Sequence, residues 1–204
     1  MTKVLPETEQ APLIIHLQPI IKLTDDQLFD LCQINEDLWI ERTAEGDLVI
    51  MPPEGWETSH RSITLGTLLT QWAWQDGTGA TCGSSGGFLL PNGAMRAPDA
   101  AWVLRSRLAA LTAEQKQKFL PLCPDFVVEV RSPSDRLSIA QAKMQEYIAN
   151  GARLGWLIDS AGRVVYVYRP NHAVERLENP ATLAGDPVLP GFVLDLQKIW
   201  QPDF

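Results

Sequence analysis

The sequence predicts a mixed α/β domain, with a central β-sheet flanked by helices. Segments with a helical apolar period alternate with short runs of apolar and β-branched residues. Turn signals such as Asn92-Gly93 and Asn150-Gly151 separate these segments. One helical segment lies between two apolar runs, as in a strand–helix–strand crossover. Together these features indicate an α/β sheet in one domain.

The N-terminal part is predicted to extend this core by a helix and a hairpin. Residues 1–22 read as an irregular leader interrupted by prolines, and residues 23–204 as a single domain. A helix is expected after Thr24, because its first turn is acidic and apolar residues follow at helical spacing. Two short strands are expected on either side of the turn Glu45-Gly46-Asp47.

The first long helix is predicted between Glu57 and Gly77. Thr58 or Ser59 is its expected N-cap. Its apolar stripe is formed by Ile63, Leu65, Leu68, Leu69 and Trp72. A hairpin should follow, with strands at 88–90 and 99–104 around the Asn92-Gly93 turn.

The second half of the chain predicts the crossover unit. A strand is expected at 125–130, broken by Ser132-Pro133, and a helix from Asp135 to Ala149. The segments LGWLID and RVVYVYR then read as two further strands, and a proline-rich tail ends in a short LQKIW segment.

Composition excludes several classes of protein. With 45% hydrophobic residues but no apolar run of membrane-spanning length, the chain predicts no membrane association. MTKVLPETEQ lacks the apolar core of a secretory signal, and Cys32, Cys82 and Cys123 form no CxxC pair, so we expect a cytoplasmic protein. The three histidines do not have zinc-site spacing.

The net charge of −8 argues against indiscriminate nucleic-acid binding by the whole surface. The segment 96–143 nevertheless holds eight basic and five acidic residues. Such local excess also arises by ordinary fluctuation along a chain, so its meaning stays open at this point.

Glu129 lies within the strand-forming run PDFVVEVR, where a carboxylate needs a cation, a proton or solvent. Asp99 follows Pro98 at the start of another predicted strand. If these strands are neighbours, the two acids, the carbonyl of Val130 and waters would form a site for Mg²⁺ or Mn²⁺. Taken singly, an acid after proline more often marks only a turn or a strand entry, and a glutamate in a strand more often lies at an edge with its carboxylate in water.

Lys143 lies at the margin of the apolar face of the predicted crossover helix, formed by Leu137, Ala140, Met144, Tyr147 and Ile148. Its long side chain could reach the acids and act on a water molecule and on a phosphate. The alternative is a lysine that only extends to solvent along the helix surface.

Four segments carry a resemblance to a known family: APDAAWV, PDFVVEVRSPSD, AKMQEYIANGARLGWLID and VVYVYR. They resemble the Uma2 (DUF820) family of endonucleases, common in cyanobacteria, within the PD-(D/E)XK restriction endonuclease-like superfamily. The resemblance runs from about Glu41 to Arg169. It implies a four-stranded mixed core sheet, with Asp99 and Glu129 as metal-binding acids.

The resemblance also assigns roles around these acids. The superfamily usually carries a lysine two residues after the second acid, where this chain has Arg131. In this family the lysine is on the following helix, which matches Lys143, and the spacing to Tyr147 is similar to a QxxxY motif. Arg131 is the expected phosphate contact. His60 and Tyr147 are candidate accessory residues.

The expected function is therefore metal-dependent hydrolysis of DNA phosphodiester bonds, with water as nucleophile. Because two-fold symmetry matches a duplex, we expect a homodimer. The rival interpretation is a nuclease-like fold that binds or regulates without cutting, since fold alone does not establish activity.

Overall fold

The computed structural model describes residues 12–132 and 135–202 and contains two main sheets. The N-terminal sheet has the strand order β1-β3-β2-β6-β5 and the central sheet the order β11-β10-β9-β8-β7-β4. The elements up to β6 are β1 (Leu13–Ile15), α1 (Asp25–Ile34), β2 (Trp39–Arg42), β3 (Leu48–Met51), α2 (Trp56–Asp76), β4 (Gly79–Gly83), β5 (Phe88–Leu89) and β6 (Met95–Arg96).

The second half completes the central sheet and adds a small C-terminal one. Its elements are β7 (Ala100–Leu104), α3 (Arg105–Ala109), α4 (Ala113–Gln117), β8 (Phe126–Arg131), α5 (Leu137–Ala149), β9 (Leu154–Asp159), β10 (Val164–Tyr168), β11 (Glu175–Glu178), β12 (Thr182–Ala184), β13 (Val193–Asp195) and α6 (Gln197–Trp200). The strands β12 and β13 pair with each other in the two-stranded sheet.

The central sheet is mixed, which confirms the predicted fold class. Strand β8 runs antiparallel to β7 and parallel to β9, and β9 runs antiparallel to β10. The parallel pair β8 and β9 is joined by α5, as expected for a crossover helix. The sheet has six strands where the resemblance implied four, because β4 and β11 add one strand at each edge.

The two faces of the central sheet are covered by different elements. On one face α2 and the C-terminal segment pack on alternate strand residues such as Phe126, Val128 and Val130. On the other face α5 packs through Met144 and Tyr147 on Val127. Since successive strand residues point to opposite faces, Glu129 shares the α5 face with Val127.

The N-terminal extension forms as predicted, with one correction to the leader. Thr24 caps α1 through a capping box with Gln27, and β2 and β3 pair around Gly46. Residues 13–15, predicted to be irregular, form β1 and extend the edge of the N-terminal sheet by backbone pairing with β3, while their side chains stay exposed. The first eleven residues of the predicted leader lie outside the described residues.

Two predictions about α2 are wrong in detail. The helix begins at Trp56 with Gly55 as N-cap, so Thr58 and Ser59 lie inside its first turn. Ile63 is exposed, because it lies on the opposite side of the helix from Leu65, which is buried. The predicted end is correct, since Gly77 takes a left-handed conformation there.

The predicted hairpin pairs differently. Strand β5 pairs with β6, just after the Asn92-Gly93 turn, and β7 pairs with β4 and β8 in the other sheet. The turn reverses the chain at once, with Gly93 at φ 90° and the Asn92 side chain accepting from the Ala94 N–H. Pro98 lacks an N–H for a ladder, so the chain leaves the first sheet before Asp99.

Two glycine substitutions test this packing in opposite directions. A Cβ at Gly79 would come within 2.2 Å of the buried Trp102 ring, so Gly79→Ala should lower the free energy of unfolding by about 1–3 kcal/mol. A Cβ at Gly66, inside α2, meets no atom within 4 Å, and Gly66→Ala should raise stability by about 0.5–1 kcal/mol. Urea unfolding measures both, and equal stability of the two variants would contradict the packing of β4 on Trp102.

Candidate active site

Asp99 and Glu129 lie at the paired ends of β7 and β8. In that antiparallel pair Ala100 is opposite Val128, so continuing the register by one residue brings Asp99 opposite Glu129. The Val130 N–H donates to Asp99 Oδ2 at 2.6 Å and fixes the carboxylate beside β8. The predicted adjacency of the two acids is therefore present.

Lys143 reaches this pair of acids from the second turn of α5. Its Nζ lies 2.9 Å from Glu129 Oε1, and only 15% of its side chain is exposed. The helix directs Lys143 toward the acids because Met144 and Tyr147 hold the buried face of α5 against the sheet. The alternative of a lysine that extends to solvent is therefore wrong.

The same ammonium contacts a third carboxylate that the sequence analysis missed. Glu41, on β2 of the N-terminal sheet, places Oε1 2.8 Å from Lys143 Nζ, with 3% of its side chain exposed. Its Oε1 also accepts from the Ala97 N–H at 3.0 Å, and Arg96 Nη1 lies 3.0 Å from its Oε2. Arg96 in turn pairs with Glu146 at 2.6 Å.

Tyr147 completes the contacts of Glu129. It lies four residues after Lys143, on the same side of α5, and its hydroxyl donates to Glu129 Oε1 at 3.1 Å. Burial, together with the charges of Glu129 and Glu41, raises the pKa of Tyr147 well above its ordinary value. The hydroxyl therefore stays protonated and acts as a donor.

The environment shifts the pKa values of these acids in different directions. Burial raises the pKa of Glu129 to about 7, with Asp99 adding to the shift and Lys143 opposing it. Burial also raises the pKa of Asp99 to about 7, assisted by the charge of Glu54. Burial alone would raise the pKa of Glu41, but Lys143 and Arg96 together hold it below its ordinary value.

The lysine keeps its proton in this environment. Burial would lower the pKa of Lys143, but the charges of Glu129 and Glu41 outweigh burial and raise it. The group is therefore a fixed ammonium with two carboxylate partners.

Glu54 is a second acid that the sequence analysis missed. It lies in the loop before α2, and its own pKa is raised by partial burial and by the charges of Asp135 and Glu129. It therefore belongs to the electrostatic surroundings of the acid pair. No pattern around Glu54 in the sequence marks it, because its proximity arises from how α2 packs on the central sheet.

Within residues 12–132 and 135–202, no group of three or more His, Cys, Asp or Glu side chains has the arrangement of a metal site. The residues that could hold a metal are the predicted ones, Asp99 and Glu129. The backbone of Val130 meets Asp99 through its N–H, and the role of its carbonyl oxygen as a ligand stays a prediction.

Arg131 is engaged away from the acid pair. Its Nη1 lies 3.1 Å from Asp159 Oδ1, and its Nε donates to the backbone carbonyl of Asp135. These contacts tie the end of β8 to β9 and to the loop that leads into α5. The guanidinium thus has a structural role, and its contact with phosphate stays a prediction.

His60 lies in the first turns of α2, stacked on Trp56 with ring centroids 6.2 Å apart. Its accessory role in the site stays a prediction.

The basic excess of the 96–143 segment is largely neutralised by ion pairs. Ion pairs form at Arg96, Arg107, Lys118, Arg131 and Lys143. The partners include Asp125 for Arg107 and Asp26 for Lys118. These residues therefore contribute less positive surface than the sequence indicated.

Among the helices of the described chain, none has the length and apolar character needed to cross a membrane.

Comparison with known proteins places these residues in a family. A family model described as "Uma2: Putative restriction endonuclease" matches residues 25–197. A crystal structure described as a "putative nuclease belonging to DUF820", from Anabaena variabilis ATCC 29413, is similar to the chain with a TM-score of 0.71 and 17% identity. The match covers 87% of this chain and 97% of that one. A search among curated proteins gave no match.

The raised pKa values predict how stability depends on pH without added metal. Between the unfolded pKa near 4 and the folded value of about 7, the native state binds more protons at Asp99 and Glu129. The free energy of unfolding should therefore fall as pH rises through this window, by on the order of a few kcal/mol.

Urea unfolding in a chelating buffer measures this dependence. Asp99→Asn and Glu129→Gln should each flatten the slope, because neither amide titrates. Glu36→Gln, at an exposed acid, is the control and should keep the slope of the wild type. Identical slopes in all four proteins would contradict the assignment.

Proposed function

The chain belongs to the Uma2 family, and on that premise we propose that it is a nuclease that hydrolyses DNA phosphodiester bonds with a divalent metal and water as nucleophile. One observation carries the proposal. Two carboxylates with raised pKa values and a buried ammonium meet at one end of a mixed sheet, around Asp99, Glu129 and Lys143. Perturbed acids beside a positioned cation are typical of catalytic sites.

The charge of this end of the sheet supports Mg²⁺ or Mn²⁺ as cofactor. Four carboxylates lie around the ammonium of Lys143, so full ionisation leaves three negative charges there: Asp99, Glu129, Glu41 and Glu54. Arg96 and Glu146 offset each other. The donors are oxygen atoms, which hard dications prefer. Asp99 and Glu129 would hold the ion, with the carbonyl of Val130 and water.

The chemistry of the proposed reaction divides between the ion and the chain. A bound dication supplies polarisation of a phosphoryl oxygen and increases the acidity of a nearby water. The Lys143 ammonium donates hydrogen bonds and stabilises negative charge that develops on phosphate. Because the pKa of Lys143 is raised, its part is to orient the water and stabilise charge, and it does not accept the proton of the attacking water.

A non-cutting module is the second candidate function. Arg131 stands at the position of the superfamily's usual lysine and is paired with Asp159, which favours a site that binds without cutting. A binder would tolerate loss of Asp99 and Glu129, whereas a metal-dependent catalyst requires both.

A homodimer acting on both strands is part of the proposal for the cutting enzyme, and light scattering after size exclusion tests it.

Cleavage assays distinguish the two functions. Plasmid and single-stranded DNA are incubated with purified protein and Mg²⁺ or Mn²⁺. Asp99→Ala and Glu129→Ala should abolish cutting, and Lys143→Ala should lower its rate by about 10²–10⁴-fold.

Lys116→Ala and Glu36→Ala, at exposed positions, are the matched controls and should cut at the wild-type rate. Cutting that persists in all three site variants would indicate a contaminating nuclease. No cutting by the wild type, together with DNA binding, would favour the non-cutting module.

Metal binding can be measured without DNA. Both proposed ligands have pKa values of about 7, so the ion must displace protons, and binding should strengthen with pH. Mn²⁺ should raise the melting temperature more at about pH 8 than at about pH 6.

Asp99→Asn should lose most of this thermal shift, whereas Glu36→Gln should keep it. A shift that is equal in both variants would place the ion elsewhere on the protein.

A further inference from the structure

Lys143 is held by the carboxylates of Glu129 and Glu41, which have different roles under the proposed function. Glu129 is a proposed metal ligand, and its Oε1 also accepts from Tyr147 and contacts Lys143 Nζ. A dication drawn to Glu129 shares its negative charge and repels the nearby ammonium. A lysine held by Glu129 alone would therefore be loosened when the site is loaded.

Glu41 offers a second hold that is independent of the acid pair. It comes from β2 in the N-terminal sheet, while Glu129 lies in β8 of the central sheet and Asp99 directly precedes β7 of that sheet. Its Oε1 lies 2.8 Å from Lys143 Nζ, slightly closer than Glu129 Oε1. Glu41 can therefore keep its contact with Lys143 when Glu129 binds a metal ion.

The Glu41 carboxylate is itself fixed at both oxygens. Its Oε1 accepts from the Ala97 N–H, and its Oε2 lies 3.0 Å from Arg96 Nη1. A buried carboxylate with every oxygen occupied has little freedom to rotate, so it can define the position of a lysine terminus.

We propose that Glu41 is a positioning residue that holds the Lys143 ammonium beside the acid pair independently of Glu129. The proposal rests on the proposed nuclease function and adds the N-terminal sheet to the active site. Glu41 acts through Lys143 and contacts neither the substrate nor the metal.

The alternative interpretation is that the ion pair between Glu41 and Lys143 only stabilises the fold. The chain offers a matched control, because Arg96 pairs with both Glu41 and Glu146, and of these two carboxylates Glu41 is the one in contact with Lys143 within the described part of the chain. Glu41→Gln and Glu146→Gln each remove one carboxylate from Arg96. Loss of structure alone should affect both variants alike.

The first measurement needs no catalysis. The protein is treated with an amine-acylating reagent, and modification of each lysine is followed by peptide mass spectrometry. With Mn²⁺ present, Lys143 should react slowly in the wild type and at least about tenfold faster in Glu41→Gln, since an ammonium that has lost its Glu41 contact reaches solvent more readily. Lys116, at an exposed position, should react equally in all variants, and Glu146→Gln should leave Lys143 protected.

The second measurement follows turnover. Glu41→Gln should lower kcat about 10–100-fold with KM nearly unchanged, because misplacing a catalytic group by about 1 Å costs rate on this scale. Glu41→Asp keeps the charge on a shorter side chain and should recover part of kcat. Glu146→Gln should stay within about threefold of the wild type.

Mn²⁺ titration by calorimetry completes the test. Glu41→Gln should bind Mn²⁺ as the wild type does, and Glu129→Gln should not. Loss of Mn²⁺ binding in Glu41→Gln, or equal Lys143 reactivity in Glu41→Gln and the wild type, overturns the proposal. If the wild type cuts no DNA, the proposed function fails, while the reactivity of Lys143 still decides whether Glu41 positions it.

Discussion

Lys143 carries a charge between two carboxylates that belong to different sheets. Glu129 lies on the central sheet and Glu41 on the N-terminal sheet, and both are within 2.9 Å of the same ammonium. A charge removed from water is tolerated only where opposite charges and hydrogen bonds replace the lost solvation. The position of α5 over the central sheet and the docking of the N-terminal sheet are therefore coupled, because a shift of either would cost a buried charge one of its partners.

The contact between Lys143 and Glu129 depends on the alternation of side chains along β8 and on the helical spacing along α5. Along β8, Glu129 alternates with Val128 and Val130, which face α2, so its carboxylate points to the α5 face. Along α5, Lys143 and Tyr147 are four residues apart and reach the same carboxylate. A shift by one residue in β8 would move the acid to the apolar face packed by α2. The register of one strand and the phase of one helix thus decide whether the site exists.

The parts predicted from the sequence are those with a local signal. The strand around Glu129 and the crossover helix with Lys143 show clear periods and turn residues, and the structure has both. Strand β4 was missed because GATCG is short and glycine-rich, and it forms only through pairing with β7. Glu41 was missed because its partners lie 55 to 102 positions away in the chain, and in sequence it is only one acid in a short strand.

Ion pairs within the fold also determine which basic side chains remain available to bind a substrate. The basic excess between residues 96 and 143 is bound largely to acids of the fold, such as Asp125 and Asp159, and the whole chain keeps a net charge of −8. Attraction of a protein to nucleic acid by counterion release needs lysines and arginines that meet phosphates. Since most of these cations already have partners, long-range attraction contributes little under the proposed function. Under the proposed function, the ammonium and a dication held by the acid pair would then supply much of the affinity for phosphate, with the same charges that would stabilise the reaction.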